Sequence, residues 1–441
     1  MIHLSLSSVT LPLSPYALGC LVVSCYWAAW VVYSRWFHPL AKYPGPFLAS
    51  FSRLWIVLQI KQADAEKTQR RLHEKHGPIV RIAPNEVAIS DPDGIRSIYA
   101  INSGFTKAGM VYAFDVIGQL FFSGMFGFME TMRDHRGYIQ ALDLLLPILC
   151  AASVMPTYIR PVFLLGGAVI PGVFRALKSI GDIERAADSC ISERQALLRN
   201  GQDVETKDIL SSLFDIMNKK GEEIDFGLTE VKVEVYVALF AGSDTTAAAV
   251  SSIFYHLMKN PAAYKKLTEE IDQATNEGRL SDIIRYREAM KLPYLLACCK
   301  EGMRMHPSVG LTIPREVPAG GRDICGQRFP GGVRVGINAA VLHRNKDIFG
   351  PDANEFNPDR WFREGAENMD RYMFQFGGGS RTCIGKNISL CEMYKMIPQI
   401  LRTFHLELAH PNKEWETHNY WFNKPSKVYT RLSRRHTSVT W

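Results

Sequence analysis

The sequence predicts a mainly α protein with a small β region and an N-terminal transmembrane helix. Three features support this fold class: an uncharged apolar stretch near the N-terminus, two short runs rich in Val and Ile around a turn, and long segments with helical spacing of apolar residues. The 441 residues are 47% hydrophobic and 22% charged, which provides a large core and excludes disordered and collagen-like chains.

The formal net charge is +7, from 51 Lys and Arg against 44 Asp and Glu. This charge suits an acidic partner or an anionic membrane surface, but it is too diffuse to indicate nucleic acid. The nine cysteines include no C-x-x-C pair, which argues against a disulfide framework and against a zinc module. The cysteines are therefore expected to be reduced.

No Lys, Arg, Asp or Glu precedes Arg35, and residues 16–33 are almost continuously apolar. As a helix, such a stretch spans about 27 Å, close to the thickness of the bilayer core. A cleaved signal peptide is the alternative, but its basic residues precede the apolar run, whereas here Arg35, Lys42 and Arg53 follow it. The sequence predicts a membrane anchor at residues 1–35, with its N-terminus in the lumen and the rest cytoplasmic.

A proline-rich hinge is predicted at residues 36–46, because Pro39, Pro44 and Pro46 cannot continue the membrane helix. The main body then covers residues 47–441. No internal repeat or low-complexity tract divides it.

The first elements of the body are predicted as a β-hairpin and a helix. Residues 79–83 and 86–90 are rich in Val and Ile and flank the turn Pro84-Asn85. Asp91-Pro92 then begins a helix that ends near Ala100. Residues 112–200 have mostly helical spacing, interrupted by four prolines.

One long helix is predicted over residues 229–260, about 48 Å in length. Its middle, Ala-Gly-Ser-Asp-Thr-Thr at 241–246, is rich in small and hydroxyl residues that lower helix propensity. Close packing of a neighbouring helix is one interpretation. A groove for a small ligand is the other, because Asp244 is costly to bury without a partner or a chemical task.

Glu301 and Arg304 lie three residues apart on a helix predicted at 294–305, so they share a face and are able to form a buried ion pair. The spacing is weak evidence alone, since Glu130 and Arg133 match it too.

The most specific feature is the loop Phe-Gly-Gly-Gly-Ser-Arg-Thr-Cys-Ile-Gly at 376–385, followed by a helical pattern at 386–404. Its glycines allow the backbone to approach a flat ligand, and the following helix dipole stabilises a negative sulfur on Cys383. With Arg381 two residues earlier to meet a carboxylate, Cys383 fits a thiolate axial ligand to haem. The other eight cysteines are interpreted as small apolar residues.

In this order, the motifs resemble the cytochrome P450 haem-thiolate monooxygenases over almost the whole chain. The resemblance includes Phe-Asn-Pro-Asp-Arg-Trp at 356–361. The stretches at 43–46 and 379–388 look most like fungal microsomal members of the pisatin demethylase-like kind. The resemblance implies the cytochrome P450 fold, with a shortened haem domain over 47–441.

The resemblance implies a role for each residue of the loop. Cys383 would be the proximal thiolate ligand of haem b, whose electron donation favours O–O cleavage. Arg381 would contact a haem propionate, and Phe376, Gly379 and Gly385 would complete the cofactor-binding loop.

The resemblance also implies catalytic and structural residues outside the loop. Thr245 would hold the bound oxygen while Asp244 feeds protons. Glu301, Arg304 and Arg360 would form an ion-pair network that supports the haem loop, which leaves Glu130 and Arg133 as a chance match.

The implied enzyme lies in the endoplasmic reticulum membrane, with a single span and a cytoplasmic catalytic domain. It takes electrons from NADPH through a separate NADPH-cytochrome P450 reductase and inserts one atom of O₂ into a hydrophobic small molecule in secondary metabolism. Residues 309–313 and those around Ala241 and Thr245 would line the pocket, and their apolar character agrees with such a substrate.

One departure from the family is the interval between Phe105 and Tyr112, where six residues replace several helices. The family's W-x-x-x-R or H-x-x-x-R contact to a propionate is absent between 105 and 229. A gene model that skipped an exon and a genuine short form with a more open haem pocket both explain this, and a real loss predicts weaker haem retention.

Two alternatives stay open at this point. One is a catalytically impaired or inactive membrane protein of the same fold, and the other is a haem-thiolate isomerase or dehydratase that needs no reductase. The Asp244-Thr245 pair argues against the isomerase or dehydratase.

Overall fold

The computed structural model describes residues 15–93, 119–123, 138–155, 159–167, 174, 181, 185, 188–197, 200, 208–241 and 244–435. Helices occupy most of these residues, with short strands between them, as the sequence predicts. The interval between Phe105 and Tyr112, the pair Glu130 and Arg133, and the helix predicted after Asp91-Pro92 as far as Ala100 lie outside the described residues. The helices are α1 Pro15–Val32, α2 Phe47–Phe51, α3 Leu54–Gln62, α4 Ala65–His76, α5 Tyr138–Val154, α6 Arg160–Gly167, α7 Ile209–Ile224, α8 Leu228–Ala241, α9 Asp244–Lys259, α10 Pro261–Asn276, α11 Tyr286–Ala289, α12 Pro293–Met305, α13 Ala339–Leu342, α14 Lys346–Phe349, α15 Ala366–Asp370 and α16 Lys386–Thr403.

The strands form one four-stranded sheet and three two-stranded sheets. In the larger sheet the order is β1-β2-β6-β3, with β2 and β6 parallel and the other neighbours antiparallel. The small sheets pair β4 with β5, β7 with β10 and β8 with β9. The strands are β1 Ile79–Ala83, β2 Glu86–Ile89, β3 Ile313–Glu316, β4 Arg322–Ile324, β5 Gln327–Phe329, β6 Arg334–Ile337, β7 Phe404–Leu408, β8 Glu416–Tyr420, β9 Phe422–Ser426 and β10 Thr430–Arg434.

The long helix predicted at 229–260 is found as α8 and α9, and residues 242 and 243 between them lie outside the described residues. The prediction at 294–305 corresponds to α12, and the one at 386–404 to α16. Pro261 and Pro293 occupy the first turns of α10 and α12. Proline is suited to this position because its fixed φ is helical and no hydrogen bond is lost there.

The largest core cluster lies among α9, α10, α12 and α16, where Ile253, Leu267, Leu295 and Met393 are fully buried. Burying one such side chain contributes about 1.5–3 kcal/mol. Gly302 on α12 permits the closest approach, because a Cβ there would lie 2.4 Å from Cγ1 of Ile253. This core fixes α9, which carries the predicted catalytic pair, and α16, which follows the cysteine loop.

A 21-residue helical segment, Ala17–Phe37, is apolar and only 6% buried, so its length and composition make it a candidate membrane span. Its last turns are attached to the body. The Trp30 indole donates to the carbonyl oxygen of Phe51 at 2.9 Å, and the Ser34 hydroxyl donates to that of Ser50 at 2.5 Å. Buried Arg81 on β1 donates to the carbonyl oxygen of Ser34 at 2.8 Å.

The segment predicted as a hinge also packs on the body. Tyr43 stacks on Phe329 at a ring distance of 5.2 Å, and the Arg81 amide donates to the carbonyl oxygen of Pro44 at 2.7 Å. A Cβ at Gly45 would lie 2.1 Å from the Arg81 carbonyl oxygen, so only glycine fits. The chain is therefore held closely where it leaves the apolar helix.

Candidate haem-thiolate site

The loop at 376–385 is closed by its own backbone and leads into α16. The Cys383 amide donates to the carbonyl oxygen of Phe376 at 2.9 Å, and the Lys386 amide donates to that of Cys383 at 3.2 Å. Gly377 and Gly379 both have φ of +69°, a region that favours glycine. Together these features present the Cys383 thiol directly before the N-terminus of a helix.

The surface of this loop fits a haem. Cys383 is half-buried, whereas Arg381 beside it is exposed. Ile384 is 100% exposed, which is unusual for an aliphatic side chain next to such a loop. A flat macrocycle ligated by Cys383 would cover an apolar group of this kind, and Arg381 is a suitable partner for its carboxylates. None of the nine cysteines, all of which lie in the described part of the chain, is in a disulfide bond.

Glu301, Arg304 and Arg360 are brought together as predicted, and all three side chains are fully buried. Arg304 donates twice to the Glu301 carboxylate, at 2.8 and 2.9 Å, and Arg360 donates to it at 2.9 Å. The Trp361 indole and the Asn357 amide add bonds of 3.0 and 2.8 Å. The carboxylate thus accepts five hydrogen bonds, which offset the cost of burying it.

This network is tied to the cysteine loop through His343, which sequence reasoning missed. Arg304 donates to the His343 carbonyl oxygen at 2.7 Å, and the Phe374 amide donates to Nε2 of His343 at 2.8 Å. Burial lowers the pKa of this imidazole to about 3, so it is neutral and its proton is assigned to Nδ1. Phe374 lies two residues before the loop at 376–385, so His343 connects the loop to the buried arginines.

The predicted acid and alcohol, Asp244 and Thr245, lie at the start of α9 under the β8–β9 hairpin. Lys424 on β9 forms an ion pair with Asp244 at 2.6 Å, and both side chains are mostly buried, at 26% and 14% exposure. The Ser308 hydroxyl donates to the carbonyl oxygen of Thr245 at 2.7 Å. Lys424 is a second residue that sequence reasoning missed, since nothing near it in the sequence marks it.

The segment predicted to line the pocket runs beside the same hairpin. Val309 pairs with Phe422, and the Gly310 amide donates to the carbonyl oxygen of Trp421 at 3.1 Å. The bond from Ser308 to Thr245 places this segment next to the acid–alcohol pair. Trp421 and Phe422, which the sequence did not assign to the site, therefore flank its predicted lining.

A mainly α body that presents one cysteine from a glycine loop at a helix N-terminus defines a haem-thiolate protein. Comparison with known proteins agrees: the cytochrome P450 family model matches residues 110–430. The chain is 34% identical to cytochrome P450 monooxygenase gsfF of Penicillium aethiopicum, over 95% of this chain and 98% of that one. It is 32% identical to a pisatin demethylase of Fusarium vanettenii, over 91% and 92%.

Cytochrome P450 monooxygenase ACRTS1 of Alternaria alternata is 39% identical over 74% of this chain and 86% of its own. The chain belongs to the cytochrome P450 family and is an oxygenase. In this family a cysteine thiolate holds the haem, a redox partner supplies electrons and the substrate is hydrophobic, so these features of the prediction are confirmed.

The alignment with gsfF covers 500 positions, whereas this chain has 441 residues. That relative therefore has at least 59 residues without a counterpart here. The family match begins at residue 110, inside the interval between Phe105 and Tyr112 where the sequence predicts a missing segment.

Proposed function

We propose that this protein is a membrane-anchored monooxygenase in which Cys383 is the axial ligand of haem b and Arg381 binds a propionate. The presentation of Cys383 by a closed glycine loop, beside a fully exposed Ile384, is the observation that carries the proposal. Phe376, Gly379 and Gly385 complete the loop. Bound haem supplies O₂ activation, and the thiolate favours O–O cleavage.

Asp244 and Thr245 are proposed to deliver protons to the reaction. Asp244 is mostly buried, and its ion pair with Lys424 keeps the carboxylate in one place. The Thr245 backbone is held by the hydrogen bond from Ser308 to its carbonyl oxygen, and its hydroxyl is the group proposed to act. An acid adjoining an alcohol forms a short relay for proton transfer.

Glu301, Arg304 and Arg360 are proposed to support the haem loop rather than to contact substrate. Their connection runs through His343 to Phe374, two residues before the loop. Full burial of the three charged side chains supports a structural role.

NADPH is proposed as the electron source, through a separate NADPH-cytochrome P450 reductase, and the substrate as a hydrophobic metabolite of a secondary pathway. The named fungal relatives support this choice. The apolar helix Ala17–Phe37 and the basic residues after it support an endoplasmic reticulum anchor at residues 1–35 with a cytoplasmic catalytic domain.

The test is the carbon monoxide difference spectrum of the dithionite-reduced, full-length protein in membranes. We expect the long-wavelength Soret band of a thiolate-ligated haem, and its loss in Cys383→Ser. A variant of a structural cysteine, Cys391→Ser, is the matched control and should keep the band. A wild-type band that persists unchanged in Cys383→Ser would refute the assignment of the ligand.

A second candidate is an impaired protein of the same fold, which the shortfall of at least 59 residues against gsfF favours. It predicts well-expressed protein with substoichiometric haem. Haem determined per polypeptide after purification separates the two, since a functional oxygenase must retain one haem per chain.

A further inference from the structure

A buried pair of hydroxyl groups joins the helix of the proposed proton relay to the helix that follows the cysteine loop. Oγ1 of Thr246 on α9 and Oγ of Ser389 on α16 lie 3.0 Å apart. The two residues are 4% and 2% exposed. Each adjoins a different half of the site: Thr246 follows Thr245 directly, and Ser389 is six residues after Cys383.

The connection from Ser389 to the cysteine loop is short. The Ser389 amide donates to the carbonyl oxygen of Gly385 at 2.9 Å, which is the first helical hydrogen bond after the loop. Gly385 is two residues from Cys383. A displacement of the Thr246–Ser389 contact is therefore passed to both Thr245 and the ligand loop through only a few bonds.

Other contacts hold a different part of α9. The Ser252 hydroxyl donates to the carbonyl oxygen of Gly302 at 2.9 Å, and Gly302 packs against Ile253. These contacts join α9 to α12, about two turns after Thr245. They do not determine how the first turn of α9 is oriented relative to α16. That orientation depends on contacts nearer to Thr246.

A hydroxyl pair restrains this contact more narrowly than apolar packing would. A hydrogen bond is directional, whereas two apolar side chains tolerate sliding. Its net contribution is only about 0.5–1.5 kcal/mol, but a buried hydroxyl that loses its partner costs about 1–3 kcal/mol. The pair therefore penalises any arrangement of the two helices that separates the hydroxyls.

We propose that Thr246 and Ser389 are positioning residues that set the location of Thr245 relative to the Cys383 loop. This inference rests on the proposed role of Thr245. It assigns to the pair the coupling of electron consumption to oxygen insertion, although neither hydroxyl takes part in the chemistry.

The test uses carbon monoxide as the probe on full-length, dithionite-reduced protein, with the infrared C–O stretching band as the readout. A single arrangement of the groups around the ligand gives one narrow band. We expect Thr246→Val and Ser389→Ala to lose that single band and to show additional, shifted components. Thr246→Ser, which keeps the hydroxyl, should retain the wild-type band.

The double variant, Thr246→Val with Ser389→Ala, separates positioning from stability. Removing both hydroxyls leaves no unpartnered group, so its thermal midpoint should recover relative to the single variants. Its band should stay heterogeneous, because the directional restraint is gone. A narrow wild-type band in this stable double variant would overturn the inference.

Thr245→Ala distinguishes this inference from the proposed function. If Thr245→Ala shifts the band but Thr246→Val and Ser389→Ala do not alter it, the positioning role is wrong and the proposed relay stands. If Thr245→Ala leaves the band unchanged, Thr245 does not adjoin the ligand, and both proposals fail.

Discussion

Replacing Glu301 by Gln should strongly destabilise the protein, because Glu301 is the shared acceptor of the buried arginine network. The fully buried Glu301 carboxylate accepts five hydrogen bonds, three of them from Arg304 and Arg360. Gln has the same size but one acceptor oxygen and no charge. Arg360 would keep Asp352 at 3.0 Å, whereas Arg304 would keep only the neutral acceptors that surround it, such as the His343 carbonyl oxygen.

The expected cost is about 3–5 kcal/mol in the free energy of unfolding, the usual effect of removing one partner from a buried ion pair. Because two guanidinium groups share the carboxylate of Glu301, a value in the upper half of that range is expected. A typical domain has only about 5–15 kcal/mol of total stability. The variant should therefore lose its haem at a much lower urea concentration than the wild type.

The assay is the carbon monoxide difference band followed against urea concentration. Asp370→Asn is the matched control, because Asp370 pairs with Lys300 at 2.6 Å with side chains 46% and 33% exposed. An exposed pair of this kind contributes about 0–1 kcal/mol. If Glu301→Gln shifts the urea midpoint no further than Asp370→Asn does, the network does not stabilise the fold as argued.

Three further changes probe other parts of the molecule. Burial raises the pKa of Glu392 from 4.5 to about 7, so the free energy of unfolding falls as the pH rises between those values. Glu392→Gln should remove this loss, which amounts to up to about 3 kcal/mol at pH 8. Urea midpoints measured at pH 5 and pH 8 check this. Gly302→Ala should cost about 1–3 kcal/mol through overlap with Ile253. Thermal melts should show a smaller cost of Gly302→Ala when it is made in an Ile253→Ala background, which lacks the closest atom, Cγ1. Lys424→Met and Asp244→Asn should each raise the peroxide released per NADPH, because both remove the ion pair that holds the Asp244 side chain, whereas Lys424→Arg should not.

Local patterns predicted those features whose partners are close in sequence. The hairpin forms as β1 and β2, although β2 ends at Ile89 rather than Ser90. Glu301 and Arg304 are three residues apart on α12, so helix periodicity was enough to place them on one face. The cysteine loop could also be predicted from local sequence, because glycines that adopt positive φ values and the start of a helix are both local features.

Residues whose partners are distant in sequence could not be found in the same way. Lys424 pairs with Asp244 across 180 positions, and nothing near Lys424 in the sequence distinguishes it from the other lysines. In the sequence, nothing marks Ser389 within the predicted helix. Its contact with Thr246 is formed only by the tertiary structure. The sheet is a further case, since the parallel pairing of β2 with β6 depends on tertiary packing.

The attachment of the apolar helix to the body has a practical consequence for making a soluble form of the enzyme. A deletion ending after Phe37 would remove Ser34 together with the rest of the apolar helix. Arg81, whose pKa burial already lowers to about 10, would then lose both acceptors on Ser34 and keep the carbonyl oxygen of Pro84. Solubilisation should therefore either retain the chain from Ser34 onward or combine the deletion with an apolar replacement of Arg81.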